Sequence, residues 1–198
     1  EMLLELGRFI DPDHELPDEI AIPLNSALSE AMVNVKMHAY TGDHRFQFRH
    51  VGRWWLTGSA DRANRVLNVV IYDQGATIPL TYDKLPKHRE VLEFIKGGLA
   101  SIAGGRSPYA SDAVHIEAAM KYGNSQTDRP NRGKGLPQMQ DAIDAAGNGR
   151  LFVASRGGQY LYGDGKGVGR KATYRHSIGG TLIEWTIQLP ARKSEEAA

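Results

Sequence analysis

The sequence predicts an α+β two-layer sandwich: a mixed, mostly antiparallel sheet with helices on one face. Three observations point there. The elements read in the order helix, strands, helices, short helix, strands. Strands seldom alternate one-to-one with helices, which argues against a doubly wound parallel sheet. The chain also closes on a run of short β-rich segments, RLFVAS, QYLY, ATYRH and TLIEWTIQLP, and these read as hairpin-connected strands.

The elements follow from local pattern. Residues 1–23 include DPDHELPDEIAIP, with three prolines and five acids, and read as an N-terminal segment or linker. A helix over about 24–40 follows, with Ala27, Leu28, Ala31, Val35 and Ala39 as its apolar stripe. Thr41-Gly42 ends it. HRFQFRH alternates polar and aromatic residues and predicts a strand. RVLNVVIYD, ending at Asp73, predicts a buried strand. KHREVLEFIKGGLASIA and DAVHIEAAMKY predict two inserted helices. LPQMQDAIDAAG predicts a short helix, with Pro137 in its first turn and Gly147 as its stop. The main domain therefore spans 24–190, with the insertion and a loop over about 86–135. The tail 191–198 reads as disordered.

Composition bounds the function. The chain has 198 residues, a formal net charge of +1 and no cysteine. A near-neutral charge gives no global pull toward nucleic acid or an anionic membrane. No cysteine means no disulfide and no thiolate metal site, which suits a reducing, cytoplasmic setting. No apolar run approaches a membrane span, and no stretch reads as a signal peptide.

Three polar constellations could carry chemistry. Glu30, Asn34 and His38 recur every four residues, so they stack on one helix face beside the apolar stripe. A carboxylate and an amide oxygen there are hard ligands, suited to Mg²⁺ and to activating water. The same stripe also fits a solvated polar flank. Asp73-Gln74-Gly75 follows a buried strand directly. A carboxylate only accepts hydrogen bonds, so Asp73 could read an exocyclic amino group such as adenine's, and Gly75 would allow close approach. A plain turn fits D-x-G equally well. Asn131-Arg132-Gly133-Lys134-Gly135-Leu136-Pro137 runs a basic, glycine-rich loop into a helix N-terminus, where free N–H groups and the dipole suit an anion. A surface loop is the simpler reading. GDGKGVG satisfies neither the P-loop nor the dinucleotide fingerprint.

Taken together, these segments resemble the GHKL superfamily of gyrase-type ATPases, heat-shock chaperones, histidine kinases and mismatch-repair ATPases. EAMVNVKMHAY is similar to its N box, E-x-x-x-N-x-x-x-H-A-Y. YDQGATIP is similar to the first glycine box, D-x-G-x-x-I-P, which brings in Ile78. NRGKGL is similar to the second, G-x-G-L, and GGTLIEWTIQLP to the closing G-T strand. The order of the four matches over about 24–190.

The resemblance implies the Bergerat ATP-binding fold, with ATP (or ADP) and Mg²⁺ as ligands. Asn34 would bind the metal. Asp73 would accept from the adenine amino group, and Gly75 would let the base approach. Thr181 would lie near the adenine. Arg132, Gly133, Lys134 and Gly135 would close over the phosphates as a lid leading into Leu136. Glu30 would be the general base for hydrolysis. His38 would support the phosphate region, although a packed, hydrogen-bonded histidine fits too.

The HAY ending of the N box looks closest to anti-sigma serine kinases, which implies a protein partner, STAS-like or another regulatory protein, and admits a homodimer. In this chain 57 residues lie between Gly75 and Gly133, longer than compact members of that group have. The expected function is ATP hydrolysis or transfer of the γ-phosphate to a protein in a regulatory system. The alternative is a nucleotide-gated interaction module without turnover.

Overall fold

A computed structural model describes residues 1–13, 15–42, 49, 51–102, 107–123, 135–163 and 169–191. The elements are α1 (Met2–Ile10), α2 (Asp18–Asn34), a π-helical turn (Val35–Ala39), β1 (Trp54–Asp61), β2 (Val66–Asp73), α3 (Ile78–Lys84), α4 (Arg89–Ala100), α5 (Asp112–Tyr122), α6 (Gly135–Ala146), β3 (Gly149–Ser155), β4 (Gly158–Gly163), β5 (Arg170–Thr173) and β6 (Thr181–Gln188). The six strands form one sheet in the order β1-β2-β6-β3-β4-β5, and every pairing is antiparallel.

Strand alternation decides which face is covered. Leu67, Val69 and Ile71 of β2 and Ile183, Trp185 and Ile187 of β6 are buried, while their neighbours in sequence are only partly covered. Side chains alternate along a strand, so one face takes the helices. Ala27, Leu28, Ala31, Val35 and Ala39 are all buried there. They share a core with Met139, Ala142 and Ile143 of α6. Trp185 is fully buried, and its indole N–H donates to the Met139 carbonyl at 3.0 Å. On the opposite face Trp55 stacks on Tyr72, with centroids 5.8 Å apart.

The sequence and the structure part in five places. Residues 1–23 are not a linker. Helix α1 buries Leu3, Gly7 and Ile10, and α2 starts at Asp18 with Pro23 inside it. Pro23 removes one bond, to a carbonyl near the exposed helix start, where water can replace the lost donor. Burial of Ile20 and Leu24 outweighs that loss. The last turn of the expected 24–40 helix is π rather than α. Strand β1 and the seven-residue α3 were not anticipated. The closing hairpin's strand lies at Arg170–Thr173, a little before ATYRH. Apart from Arg49, HRFQFRH lies outside the described residues, as do 124–134 of the expected lid and the tail beyond 191. Among the described helices none is long and apolar enough to cross a membrane.

A buried ionic contact ties the inserted helix α5 to the sheet. Asp112, in the first turn of α5, is fully buried. Its carboxylate accepts from the Gly157 N–H at 3.0 Å and from the Arg156 guanidinium at 3.1 Å. Arg156 holds a left-handed φ of 55° in the two-residue β3–β4 turn. Burial pushes the Asp112 carboxyl up, and the Gly157 N–H and Arg156 cation oppose that push. Asp112→Ala strands the cation and the Gly157 donor, so urea unfolding should show a loss of about 3 kcal/mol. A loss below about 1 kcal/mol would mean that the pair is solvated enough to be dispensable.

Candidate functional site

The end of β2, the start of β6 and the end of β3 lie in one cross-strand row. Asp73 pairs with Thr181, and Thr181 pairs with Ser155. All three are buried polar residues on the helix-covered face. In front of this row lies a cavity of about 800 Å³. Glu30 and Asn34 of α2 and His38 of the π-turn line it, and so do Asp73 and Thr181. Ile78 at the start of α3 and Gly135-Leu136 at the start of α6 complete this part of the wall. Eight of the residues singled out from the sequence thus meet at one cavity. Arg132, Gly133 and Lys134 lie outside the described residues.

Gly75 does not line the cavity; it makes the corner that shapes it. A Cβ built there would fall 2.3 Å from the Ala39 carbonyl oxygen. That oxygen accepts from the Ala76 N–H at 2.6 Å. Only glycine lets the loop after β2 press so closely against the π-turn. Gly180 serves the same end on β6, where a Cβ would fall 1.8 Å from the Asp73 carbonyl oxygen. Tyr40 closes the corner: its hydroxyl accepts from the Gln74 N–H at 3.0 Å and donates to the Arg53 carbonyl.

Two polar groups at the cavity are held there at an energetic cost. Asp73 is 6% exposed. Desolvation pushes its carboxyl up to about 6, against the Gly75 N–H that donates to Oδ1 at 2.8 Å. The Asn34 Nδ2 is buried without a hydrogen-bond partner among the described residues. An amide's oxygen and nitrogen exchange by a half-turn of the side chain, so this position can offer either a donor or a ligand oxygen. The Glu30 carboxylate sits against the N-terminus of α6, where its Oε1 would lie 2.7 Å from a Cβ built at Gly135. A helix N-terminus favours negative charge.

Among the described residues no cluster of three or more His, Asp or Glu could cage a metal unaided. Mg²⁺ commonly binds through one or two protein oxygens plus waters and substrate phosphates. Asn34 with a bound polyphosphate fits that pattern.

Sequence reasoning missed part of the wall. Thr81 and Tyr82 of α3, Leu85 just after it, and Gly123 after α5 also line the cavity, so the segment between β2 and β3 contributes to its wall. It also missed Ser155, which ends the apolar run RLFVAS and belongs to none of the recognised segments. No family model matches the chain, and no curated protein matches it in sequence.

Proposed function

We propose that the cavity binds ATP (or ADP) with Mg²⁺, and that the chain is a GHKL-type domain of a cytoplasmic regulatory system. On this reading it hydrolyses ATP or passes the γ-phosphate to a partner protein, STAS-like or another regulatory protein. One observation carries the reading: residues from all four recognised segments, separated by up to about 150 positions, line the same cavity.

The roles follow from chemistry. Asp73 accepts from the adenine amino group, and Thr181 stands beside it. Asn34 supplies a metal-ligating oxygen. His38 and the α6 N-terminus face the phosphates, over which Arg132, Gly133 and Lys134 would close. Mg²⁺ supplies charge neutralisation on the phosphate oxygens. Glu30 orients the attacking water and takes its proton. Positioning and charge are most of what phosphoryl transfer requires.

Glu30→Gln separates base from scaffold. The expected result is Mg·ATP affinity close to wild type with phosphate release reduced about 100-fold, the lower range for a general base. Unchanged release would remove Glu30 as the base. Labelled γ-phosphate appearing on a partner protein, with release negligible from the start, would select the kinase over the ATPase. Absence of nucleotide binding in the wild type would end the reading.

A further inference from the structure

Behind the cavity, Ser155 fixes which way the site's hydroxyl points. Ser155 is fully buried and does not line the cavity. Its Oγ accepts from the Ile78 N–H at 2.9 Å and lies 2.8 Å from Thr181 Oγ1. These are its hydrogen-bond partners among the described residues. If Thr181 donated to Ser155, the Ser155 oxygen would accept twice and its own proton would be buried with no acceptor. That arrangement is costly. On that ground Ser155 donates to Thr181, which leaves the Thr181 proton for an acceptor on the cavity side, and Asp73 is the Cα partner of Thr181 across the β2–β6 pair.

We infer that Ser155 is a positioning residue for base selection: it holds Thr181 as a donor beside the Asp73 acceptor. This rests on the reading of the cavity as a nucleotide site. An acceptor next to a donor complements a ring that presents an amino group next to an unprotonated ring nitrogen, as adenine does at its amino group and N1. Guanine presents the reverse pattern on the same edge. The chain from the Ile78 N–H through Ser155 to Thr181 also anchors the selecting hydroxyl to the start of α3, so its direction is set before any ligand arrives.

The test compares ATP with 1-deazaadenosine triphosphate, in which a C–H replaces N1. Wild type should prefer ATP by about tenfold, the value of one hydrogen bond in a desolvated site. Ser155→Ala should reduce that preference to about twofold or less, because the Thr181 rotor is released. Ser155→Cys is near-isosteric with a weak donor. It should act the same way and serves if alanine does not fold. Thr181→Val should lose the preference as well, and adding Ser155→Ala to it should change the preference no further. If both nucleotides weaken together in the Ser155 variants and the ratio stays at its wild-type value, Ser155 is merely structural and the inference fails. A wild type that binds ATP without discriminating against the deaza analogue overturns it too. A wild type that binds neither nucleotide instead removes the reading of the site beneath it.

Discussion

Asp73→Asn should give a protein that melts higher than wild type at pH 7.5 and no longer responds to ATP. The Asp73 carboxyl has an ordinary value of 3.8 and rises to about 6 in the fold through desolvation. The fold therefore disfavours its charged form. Below about pH 4 the group is protonated in both states and costs nothing. Between about 4 and 6 the unfolded chain releases the proton while the folded chain keeps it, so stability falls as pH rises. Above 6 the penalty is constant, about 2–3 kcal/mol at about 1.4 kcal/mol per unit.

Asparagine removes that penalty and keeps an oxygen to accept the Gly75 N–H. Part of the gain is lost to its second amide group, so a net gain of about 1–2 kcal/mol is expected, or about 3–6 °C in melting temperature for a chain of this size. The same change destroys an acceptor-only group that a nucleobase amino group needs, which lowers ATP affinity by about 10- to 100-fold. Scanning calorimetry at pH 7.5 and pH 5, with and without Mg·ATP, reads all of this. The gain should shrink at pH 5, and ATP should raise the melting temperature of the wild type only. A variant that melts several degrees lower at both pH values would show that the carboxylate stabilises the empty fold.

Asn34→Ala should uncouple nucleotide from metal. The side-chain nitrogen is buried and has no hydrogen-bond partner among the described residues, so removing the amide takes away little that holds the fold together. Unfolding midpoints should stay within about 1 kcal/mol of wild type, because a lost packing contact is offset by loss of an unsatisfied polar group. Mg·ATP affinity should fall by about 100-fold, the value of a lost interaction with a charged ligand at a largely desolvated position. ATP measured in excess chelator should bind both proteins equally. Equal weakening with and without Mg²⁺ would assign Asn34 to the nucleotide rather than the metal. On the proposed reading Asp73 and Asn34 share one logic: the fold holds each at an energetic cost, and a ligand of the matching chemistry would relieve it.

Much of this was legible in the sequence wherever a burial pattern and a local rule agreed. RVLNVVIYD announced a buried strand and TLIEWTIQLP a strand, and in both the core-facing positions are large and apolar. The four-residue spacing of Glu30, Asn34 and His38 put them on one side of a helix, and the π-turn keeps all three at the cavity. Elsewhere tertiary contacts overrode local rules. Pro17 and Pro23 suggested a broken segment, yet Pro17 caps α2 and Pro23 rides inside it, because Ile20 and Leu24 bury against the core. Strand β1 is an edge strand that alternates only between exposed and half-buried positions, so it lacks the large core-facing apolar residues that mark β2 and β6. Its Gly58 reads as a break, although a Cβ there would strike Leu6 of α1.

The π-turn depends on Ala39 meeting Ala76, a contact between segments that no local pattern encodes. Ser155 was invisible because a buried serine ending a strand has no signature. Only the register that sets it beside Thr181 reveals it.

The most direct test is a crystal of the wild-type protein grown with a non-hydrolysable ATP analogue and Mn²⁺ in place of Mg²⁺. The account predicts the adenine amino group within hydrogen-bonding distance of the Asp73 carboxylate, and an anomalous Mn²⁺ peak at the Asn34 side-chain oxygen. A cavity left empty at saturating nucleotide, or a nucleotide bound away from Asp73 with the metal remote from Asn34, would contradict it.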